Sequence, residues 1–457
     1  MLNGLFNFIR NIGLPILYFG GILTCLLSVF KKASWGLLLM VILIPQPNIF
    51  YRLYHFPGGK DLLDFLFLAV MIGIFVNKGG FERSGNSVLA IILVLVSYLA
   101  VWNSSMNFSL PLPLTLANPM LKPWKSYAYM VFMYLLTFNA IKDDENQRKM
   151  LVLVMALVML FVSIRSYRSY TVGPSFIEDS RATGPFWIVG LGPNHFGAFI
   201  AHYSAVLLGL LILDNIRWHK ILFLVTILIS LHPLFFSYSR GAYVAALAVL
   251  VFFGLAKKRS LLILAIVLVI AWQTILPSSV VERITMTKTG EGQIERSAAI
   301  RLDLWDHALG LFKKKPIFGF GFGGYEFTMP DELHWKDTHN YYLKMLSEQG
   351  IVGFGLLLVV LFLAFRSGWK LLKVGKNGFE RGLGLGFAGC VVACVCTNFF
   401  GDRWSYYEMG TYFWVFWGLV DREILIAREA INAAPNVEQT EWSSSSMENE
   451  DVKRGMK

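Results

Sequence analysis

Long apolar segments recur along the 457-residue chain, and they limit its fold more than any other feature of the sequence. Most run for about 17–20 residues, the length at which a helix rising about 1.5 Å per residue crosses about 30 Å of hydrocarbon. Hydrocarbon offers the backbone no water, so each segment must satisfy its own hydrogen bonds as a helix. The chain is 55% hydrophobic, above the roughly 45–50% of soluble domains. The sequence therefore predicts an all-α, polytopic membrane protein.

Thirteen segments of this kind follow one another, and the second contains Pro45 and Pro47. They span residues 12–30, 33–50, 61–77, 87–103, 127–141, 150–166, 194–213, 221–237, 242–256, 260–276, 351–366, 383–400 and 409–420. Lys31 and Lys32 follow the first segment, where a signal peptide would have a small-residue cleavage site, so we expect no cleavable leader. We predict about 12–13 transmembrane helices on this basis.

Basic residues cluster in every second connection between the apolar segments. They follow the odd-numbered segments, as Lys31 and Lys32 follow the first and Lys257, Lys258 and Arg259 follow the ninth. Under the positive-inside rule these connections are cytoplasmic and the even-numbered ones face outward. With thirteen spans the N-terminus is outside, whereas it is cytoplasmic if one early segment does not span. The net charge of +11 therefore indicates membrane orientation rather than a nucleic-acid partner.

This pattern divides the chain into four regions: N-terminal transmembrane helices (1–276), a large outward loop (277–350), C-terminal transmembrane helices (351–420) and a cytoplasmic, disordered tail (421–457). Within the loop, apolar residues at helical spacing predict an amphipathic helix over residues 297–313. A second short helix is expected to start near Asn340 and to run into the eleventh segment. The polar, charged composition of the chain end is typical of disordered segments.

Familiar catalytic and metal-binding patterns are missing from the sequence. It has no P-loop, no G-x-S-x-G, no zinc-spaced histidine pair and no DxD carboxylate pair on an outward loop. All four cysteines lie in apolar segments and indicate neither a disulfide framework nor a zinc site. We expect no metal and no cofactor.

Arg240 is the first candidate functional residue. Residues 236–242 read Phe-Ser-Tyr-Ser-Arg-Gly-Ala and form a tight outward connection between two apolar segments. The alternative is an anchor whose charge reaches the headgroups, but the positive-inside rule places such anchors on the other side. An arginine at membrane depth is costly and marks a functional site by default.

Three more candidates lie on the same side. Arg301 is on the predicted amphipathic helix, where a solvated arginine is the alternative. His339 precedes the second loop helix, and its ordinary pKa of about 6.5 suits a general base that Asp337 is placed to orient. Asn194 opens the seventh segment and either caps it or binds a ligand. The loop ahead of it carries Arg165, Arg168 and Arg181, which form either an anion site or a basic rim.

Three motifs in this order resemble those of the O-antigen ligase and polymerase superfamily, over roughly residues 190–365. The family has an S-x-S-R-G-A segment, an arginine-led helix ending in a Pro-x-x-Gly-x-Gly turn, and a His-Asn-x-x-Leu segment followed by Glu and Gly. Asn194 lies in a segment similar to the family's Pro-Asn segment. The matching residues here are Ser237 to Ala242, Arg301 to Gly321, and His339 to Gly350.

The resemblance implies a GT-C-like membrane glycosyltransferase. It would transfer a glycan from a polyprenyl-diphosphate carrier to a saccharide, lipid A-core or growing glycan, at the outer face of the bacterial inner membrane. It implies diphosphate binding by Arg240 and Arg301, proton abstraction by His339, inversion at the anomeric carbon, and no metal. The substrate-binding residues that go with this reaction are Asn194, Arg181, Tyr238, Trp305, Asn340 and Tyr341. Further aromatic faces for sugar rings are offered by Trp335, Tyr325 and Tyr342.

Other functions stay open at this point. The family motifs do not separate a ligase from a polymerase or from a protein O-oligosaccharyltransferase. A transporter or flippase for lipid-linked glycan, and a non-catalytic scaffold or sensor of envelope assembly, are alternatives outside the enzyme class. The sugar, the acceptor and the oligomeric state are not set by these residues.

Overall fold

The chain folds as a bundle of α-helices. The computed structural model describes residues 2–142, 144–167, 175–286, 296–329 and 337–433, and contains no β-strand within them. Its helices are α1 (Leu2–Phe30), α2 (Ser34–Leu43), α3 (Pro47–Phe50), α4 (Leu62–Lys78), α5 (Gly85–Asn107), α6 (Leu121–Ala140), α7 (Glu145–Ser166), α8 (Pro193–Leu213), α9 (Arg217–Phe236), α10 (Arg240–Ala256), α11 (Arg259–Ile275), α12 (Ser278–Thr285), α13 (Arg296–Lys314), α14 (Gly324–Phe327), α15 (Tyr341–Val374), α16 (Gly378–Asn398) and α17 (Tyr407–Ala433).

Every predicted apolar segment coincides with a helix, so the chain is an all-α polytopic membrane protein, as predicted. Within the described ranges, seven helices are long and apolar enough to span a membrane: α1, α5, α7, α8, α9, α15 and α16. Two bent pairs raise this number to nine if each is one span. One pair is α2 with Pro47–His55, bent by 98°. Pro45 and Pro47 lie at this bend. They account for it, because proline lacks the backbone N–H that would continue the helix.

The connections gather at two opposite ends of the bundle, as the alternating charges predict. At the end that carries α12, α13 and α14, here called the loop end, the amide of Ala182 donates to the carbonyl of Phe236 over 2.9 Å. At the opposite end, ion pairs join connections that are distant in sequence, including Arg148 with Glu423 over 2.7 Å. Thus the outward and cytoplasmic connections of the prediction are separated in the fold.

Glycines bring α8 and α16 into close contact at the centre of the bundle. A Cβ added at Gly209 would lie 2.3 Å from the backbone nitrogen of Gly386. Small residues permit this approach, and membrane helices associate mainly through such packing. The close contact fixes the start of α8 beside the end of α16, and both of these helix ends lead into the candidate site at the loop end.

One predicted boundary was wrong. Residues 421–433 are not part of a disordered tail, because α17 continues to Ala433 and buries Arg422, Glu423 and Ile424 against the bundle. The helix expected to start near Asn340 and to run into the eleventh segment is confirmed, since α15 begins at Tyr341 and continues through a break at Gly350 to Val374. The amphipathic helix predicted over 297–313 is confirmed as α13. The rest of the tail, residues 434–457, lies outside the described residues, as do Arg168 and Trp335.

Candidate active site

A strained turn between α9 and α10 presents Arg240. Tyr238 has a φ of +51°, a left-handed conformation that non-glycine residues rarely adopt. Ser239 caps α10 by accepting a hydrogen bond from the amide of Ala242, and Arg240 is the first residue of that helix. Gly241 packs against Phe400, where an added Cβ would lie 2.8 Å from the phenylalanine Cβ. The glycine therefore allows the turn to approach the segment that follows α16.

Arg181 holds this turn against the start of α8. Its Nε donates to the carbonyl of Ser237 over 3.0 Å, and its Nη2 donates to Oδ1 of Asn194 over 2.8 Å. Burial lowers the pKa of the Arg181 guanidinium, and Glu178, 2.6 Å away, opposes that shift. The hydrogen bonds of Arg181 thus go to the protein itself, which makes it a positioning residue.

A cavity of about 280 Å³ lies at this position and brings together Arg240 and Arg301, which are far apart in sequence. Arg283 from α12 and Arg403 from the connection between α16 and α17 line the same cavity, as does Asn194. Among the described residues no carboxylate lines it. Guanidinium groups stay charged at all relevant pH values and bind phosphate through two parallel hydrogen bonds. The cavity is therefore suited to an anion with several oxygens, such as a diphosphate.

Arg403 is fixed in a buried position beside the cavity. Its Nη1 donates to Nε2 of His195 over 2.7 Å and to the carbonyl of Asp402 over 2.8 Å, and its own amide donates to Oδ1 of Asn398 over 2.9 Å. Arginine has only donors, so His195 must accept through Nε2 and is neutral. Asp402 itself is paired with Lys344 over 2.8 Å. This network ties α8, α15 and α16 to one wall of the site.

His339 lies next to the cavity and within electrostatic reach of Arg301 and Arg403. It has a φ of +51° and immediately precedes Asn340, the N-cap of α15. Burial lowers the pKa of His339, the Asp337 carboxylate opposes this, and the two arginines lower it further. The Nδ1 of His339 is 3.8 Å from Oδ2 of Asp337. A histidine whose pKa is lowered is neutral at pH 7, the form that accepts a proton.

The turn after α13, the helix that carries Arg301, is hydrogen-bonded to the break in α15. Gly350, with a φ of +61°, interrupts that helix, and the amides of Ile351 and Val352 donate to the carbonyls of Pro316 and Ile317 over 2.8 and 3.3 Å. In return, the amide of Gly321 donates to the carbonyl of Glu348 over 2.7 Å. The broken helix thus has its freed backbone groups satisfied, as hydrocarbon requires. The turn links the helix of Arg301 to the helix that follows His339.

Trp305 makes a second link between these two residues. It lies one turn after Arg301 on α13, and its indole Nε1 donates to the carbonyl of Thr338, adjacent to His339, over 3.1 Å. The buried Thr338 hydroxyl in turn accepts from the amide of Asn340 over 3.1 Å. Two separate links, the turn bonded to α15 and the Trp305 hydrogen bond, therefore fix the relative position of the arginine and the histidine.

Comparison with known proteins gives a match to this part of the chain. Residues 224–358, which include Arg240, Arg301 and His339, match a family model described as O-antigen ligase. Residues 224–358 therefore form an O-antigen ligase-type domain. No curated protein sequence matches it.

Two arginines that line the cavity beside the O-antigen ligase-type motifs, Arg283 and Arg403, were not among the predicted site residues. Arg283 lies on the short helix α12, where its guanidinium stacks over Phe176 at 4.8 Å. Arg403 follows α16 in another outward connection. Arg240 was singled out because it is an arginine on the side of the membrane where anchoring arginines are rare. The same argument applies to Arg403. Within the described residues, the structure groups no three His, Cys, Asp or Glu side chains in a way that could hold a metal ion.

Several predicted substrate-binding residues of the O-antigen ligase domain do not line the cavity. Asn340 accepts hydrogen bonds from the amides of Tyr342 and Leu343, so its side chain is used as the N-cap. Tyr341 is buried, and its ring stacks on that of Trp404 with an interplanar angle of 27°. Both side chains are engaged in capping or packing, and their role in substrate binding stays a prediction. Tyr238 does line the cavity, and its hydroxyl donates to Ser279 on α12 over 3.0 Å.

Proposed function

We propose that this O-antigen ligase-type protein transfers a glycan from a polyprenyl-diphosphate carrier to a saccharide or lipid-linked acceptor. The reaction would take place at the periplasmic face of the bacterial inner membrane, where the charge pattern puts the loop end. The observation that supports it is the cavity in which Arg240 and Arg301 meet, joined by Arg283 and Arg403.

The arginines bind the diphosphate and stabilise it as it leaves. The donor carries its diphosphate on the anomeric carbon, so little acid catalysis is needed for departure. The required help is positive charge in fixed positions, which costs no reorganisation during the reaction. Arg240 and Arg301 supply it through paired hydrogen bonds, and Arg403 is kept in place by His195. These permanent charges take the place that a divalent cation has in other transferases.

His339 acts as the base for the acceptor. As its imidazole takes the proton of the acceptor hydroxyl, the oxygen attacks the anomeric carbon from the face opposite the diphosphate. The new carbon–oxygen bond forms while the bond to the diphosphate breaks, and the bonding electrons leave with the polyprenyl diphosphate. This displacement inverts the anomeric centre. The lowered pKa of His339 keeps the imidazole neutral before the reaction.

Reconstitution with purified protein tests the proposal. Liposomes are loaded with polyprenyl-diphosphate glycan, and the acceptor is added so that donor and acceptor meet on the same face. The wild-type protein is expected to form the linked product without any energy source. Arg240→Ala, Arg301→Ala and His339→Ala should each remain in the membrane and lose activity. Arg217→Ala, at the opposite end of the bundle, is the matched control and should keep it.

The same assay separates the alternatives. A flippase would form no product from donor that is already on the acceptor face, and a scaffold would form none under any condition. Full activity of His339→Ala would exclude its role as base. Supplying lipid A-core, a growing glycan or a protein acceptor in turn distinguishes a ligase, a polymerase and a protein O-oligosaccharyltransferase.

A further inference from the structure

A second cavity lies at the opposite end of the bundle, far from the proposed active site. It has a volume of about 310 Å³ and is enclosed by the start of α5, the last turns of α15 and the second half of α17. Four basic residues line it, together with apolar side chains that include Leu363 and Ile424. The basic residues are Arg83, Arg366, Lys370 and Arg428.

The positive charge of this cavity is not balanced within the described part of the chain. Asp421 is the only carboxylate that lines it there. That carboxylate is buried and accepts from neutral donors, including Nδ2 of Asn86 over 2.8 Å. Arg366 and Arg428 both lie close enough to Lys370 to repel its charge, and Asp421 attracts it. One carboxylate thus faces four basic residues. Bringing three cations together in this way costs free energy that a bound anion would offset.

An apolar surface leads out of the cavity along α15. Val359 and Phe362 lie one turn before the cavity residues Leu363 and Arg366, on the same side of the helix, because residues four apart share a face. Val359 is 46% exposed and Phe362 is 64% exposed. A large aromatic side chain with this exposure, within a membrane-spanning helix, is in contact with acyl chains. The cavity therefore combines a cationic pocket with an adjoining apolar track.

We propose that the cavity lined by Arg83, Arg366, Lys370 and Arg428 binds the phosphate headgroup of an anionic phospholipid. The phosphate oxygens would bind between the guanidinium groups, and an acyl chain would lie against Val359 and Phe362. Basic pockets between transmembrane helices on the cytoplasmic side are suited to such headgroups. The apolar track favours an amphiphile over free phosphate, which has no group to place there. This site is independent of the proposed glycan transfer, since none of its residues lines the other cavity.

Native mass spectrometry of the full-length protein in detergent tests this site. The protein is titrated with phosphatidylglycerol, with phosphatidylcholine and with glycerol phosphate. We expect one phosphatidylglycerol to bind with clear preference over the other two. Each basic residue near a membrane surface contributes about 1 kcal/mol, so the double variant Arg366→Gln/Arg428→Gln should bind it about 30-fold more weakly.

Two further variants keep the test decisive. Lys257→Gln/Lys258→Gln removes the same charge from another connection on the same side and should leave binding unchanged. Arg83→Gln alters an exposed residue ahead of α5 and should weaken binding about fivefold without disturbing packing. The proposal would be overturned if the two phospholipids bound equally, or if glycerol phosphate at equal concentration competed with phosphatidylglycerol. It would also be overturned if the Lys257/Lys258 variant lost as much binding as the Arg366/Arg428 variant, or if Arg83→Gln bound phosphatidylglycerol as the wild type does.

Discussion

The guanidinium of Arg403 donates a hydrogen bond to Nε2 of His195 over 2.7 Å, at one wall of the arginine-lined cavity. The two residues are 208 positions apart. His195 lies in the first turn of α8, and Arg403 lies in the connection between α16 and α17. The contact fixes both the tautomer of the histidine and the direction of the guanidinium, because arginine is only a donor. A cationic group that is fixed in advance stabilises developing charge better than a mobile one.

Replacing Arg403 should therefore reduce glycan transfer. Arg403→Gln removes the charge and the fork of donors, and we expect a rate at least about 100-fold lower, the usual loss when one preorganised donor is removed. The measurement is the initial rate of transfer per amount of protein in the membrane. Arg217→Gln at the opposite end is the control, and an equal rate in the two variants would rule out a role for Arg403.

Arg301→Lys tests whether geometry matters in addition to charge. Lysine keeps the positive charge but cannot bind a phosphate group through a planar fork. We expect a rate about 10-fold below wild type for Arg301→Lys and about 100-fold or more below it for Arg301→Ala. Arg259→Lys on the other side of the bundle should behave as wild type. If Arg301→Lys also transfers glycan at the wild-type rate, Arg301 contributes only its charge.

The pH dependence of transfer should report on His339. A base must be neutral, and burial holds the pKa of His339 below its ordinary value, so activity should persist below about pH 6.5 and fall at lower pH. The Asp337 carboxylate raises that pKa, so Asp337→Asn should move the acid limb to still lower pH. Asp306→Asn, on the exposed side of α13, should not move it. A shift to higher pH in Asp337→Asn would contradict this assignment.

Trp305→Phe should affect catalysis more than donor binding. The change keeps an aromatic ring and removes the N–H that bonds to the carbonyl beside His339. The lost bond costs about 1 kcal/mol, and the loop that carries His339 loses a constraint. We expect a lower kcat at a nearly unchanged KM for the donor. Trp218→Phe, at an exposed position on α9, provides the comparison, and a change confined to KM would indicate contact with the donor instead.

Gly350→Ala should destabilise the protein. Gly350 has a φ of +61°, and an added Cβ would lie 2.3 Å from the carbonyl oxygen of Ile317. Strain of this kind costs about 1–3 kcal/mol, so we expect a lower Tm in detergent, measured by intrinsic fluorescence. Gly355→Ala is the matched control on the same helix, since no atom lies within 4 Å of its added Cβ. Equal Tm values would show that the break in α15 tolerates a side chain.

Much of the fold could be predicted from hydropathy alone. All thirteen apolar segments are helical, because in hydrocarbon a segment must bond to itself whatever its neighbours are. The error at the boundary of residue 421 has a different cause. Residues 421–433 are polar enough to appear disordered, yet Arg422 and Glu423 are buried through partners that are distant in sequence, such as Glu82 and Arg148. Hydropathy does not record such pairings.

The candidate site was only partly visible in the sequence. Arg240, Arg301 and His339 were found through local motifs, and the structure brings the first two into one cavity with the third beside it. The predictions for Asn340 and Tyr341 rested on their position in a motif, which does not reveal whether a side chain caps a helix or packs inside. Neither Arg283 nor Arg403 lies in a recognisable motif. Arg403 shares with Arg240 its place in an outward connection, whereas Arg283 is joined to the cavity only by the tertiary structure.

The sequence by itself determined the helical, membrane-spanning character of the apolar segments and the motifs that contain three of the key residues. These features depend on interactions within a few turns of chain. Only the tertiary structure decided which distant residues share a cavity, because that depends on how closely helices such as α8 and α16 approach. The approach is set by glycines that meet backbone to backbone, as Gly209 and Gly386 do, and a contact of this kind has no signature in either segment alone.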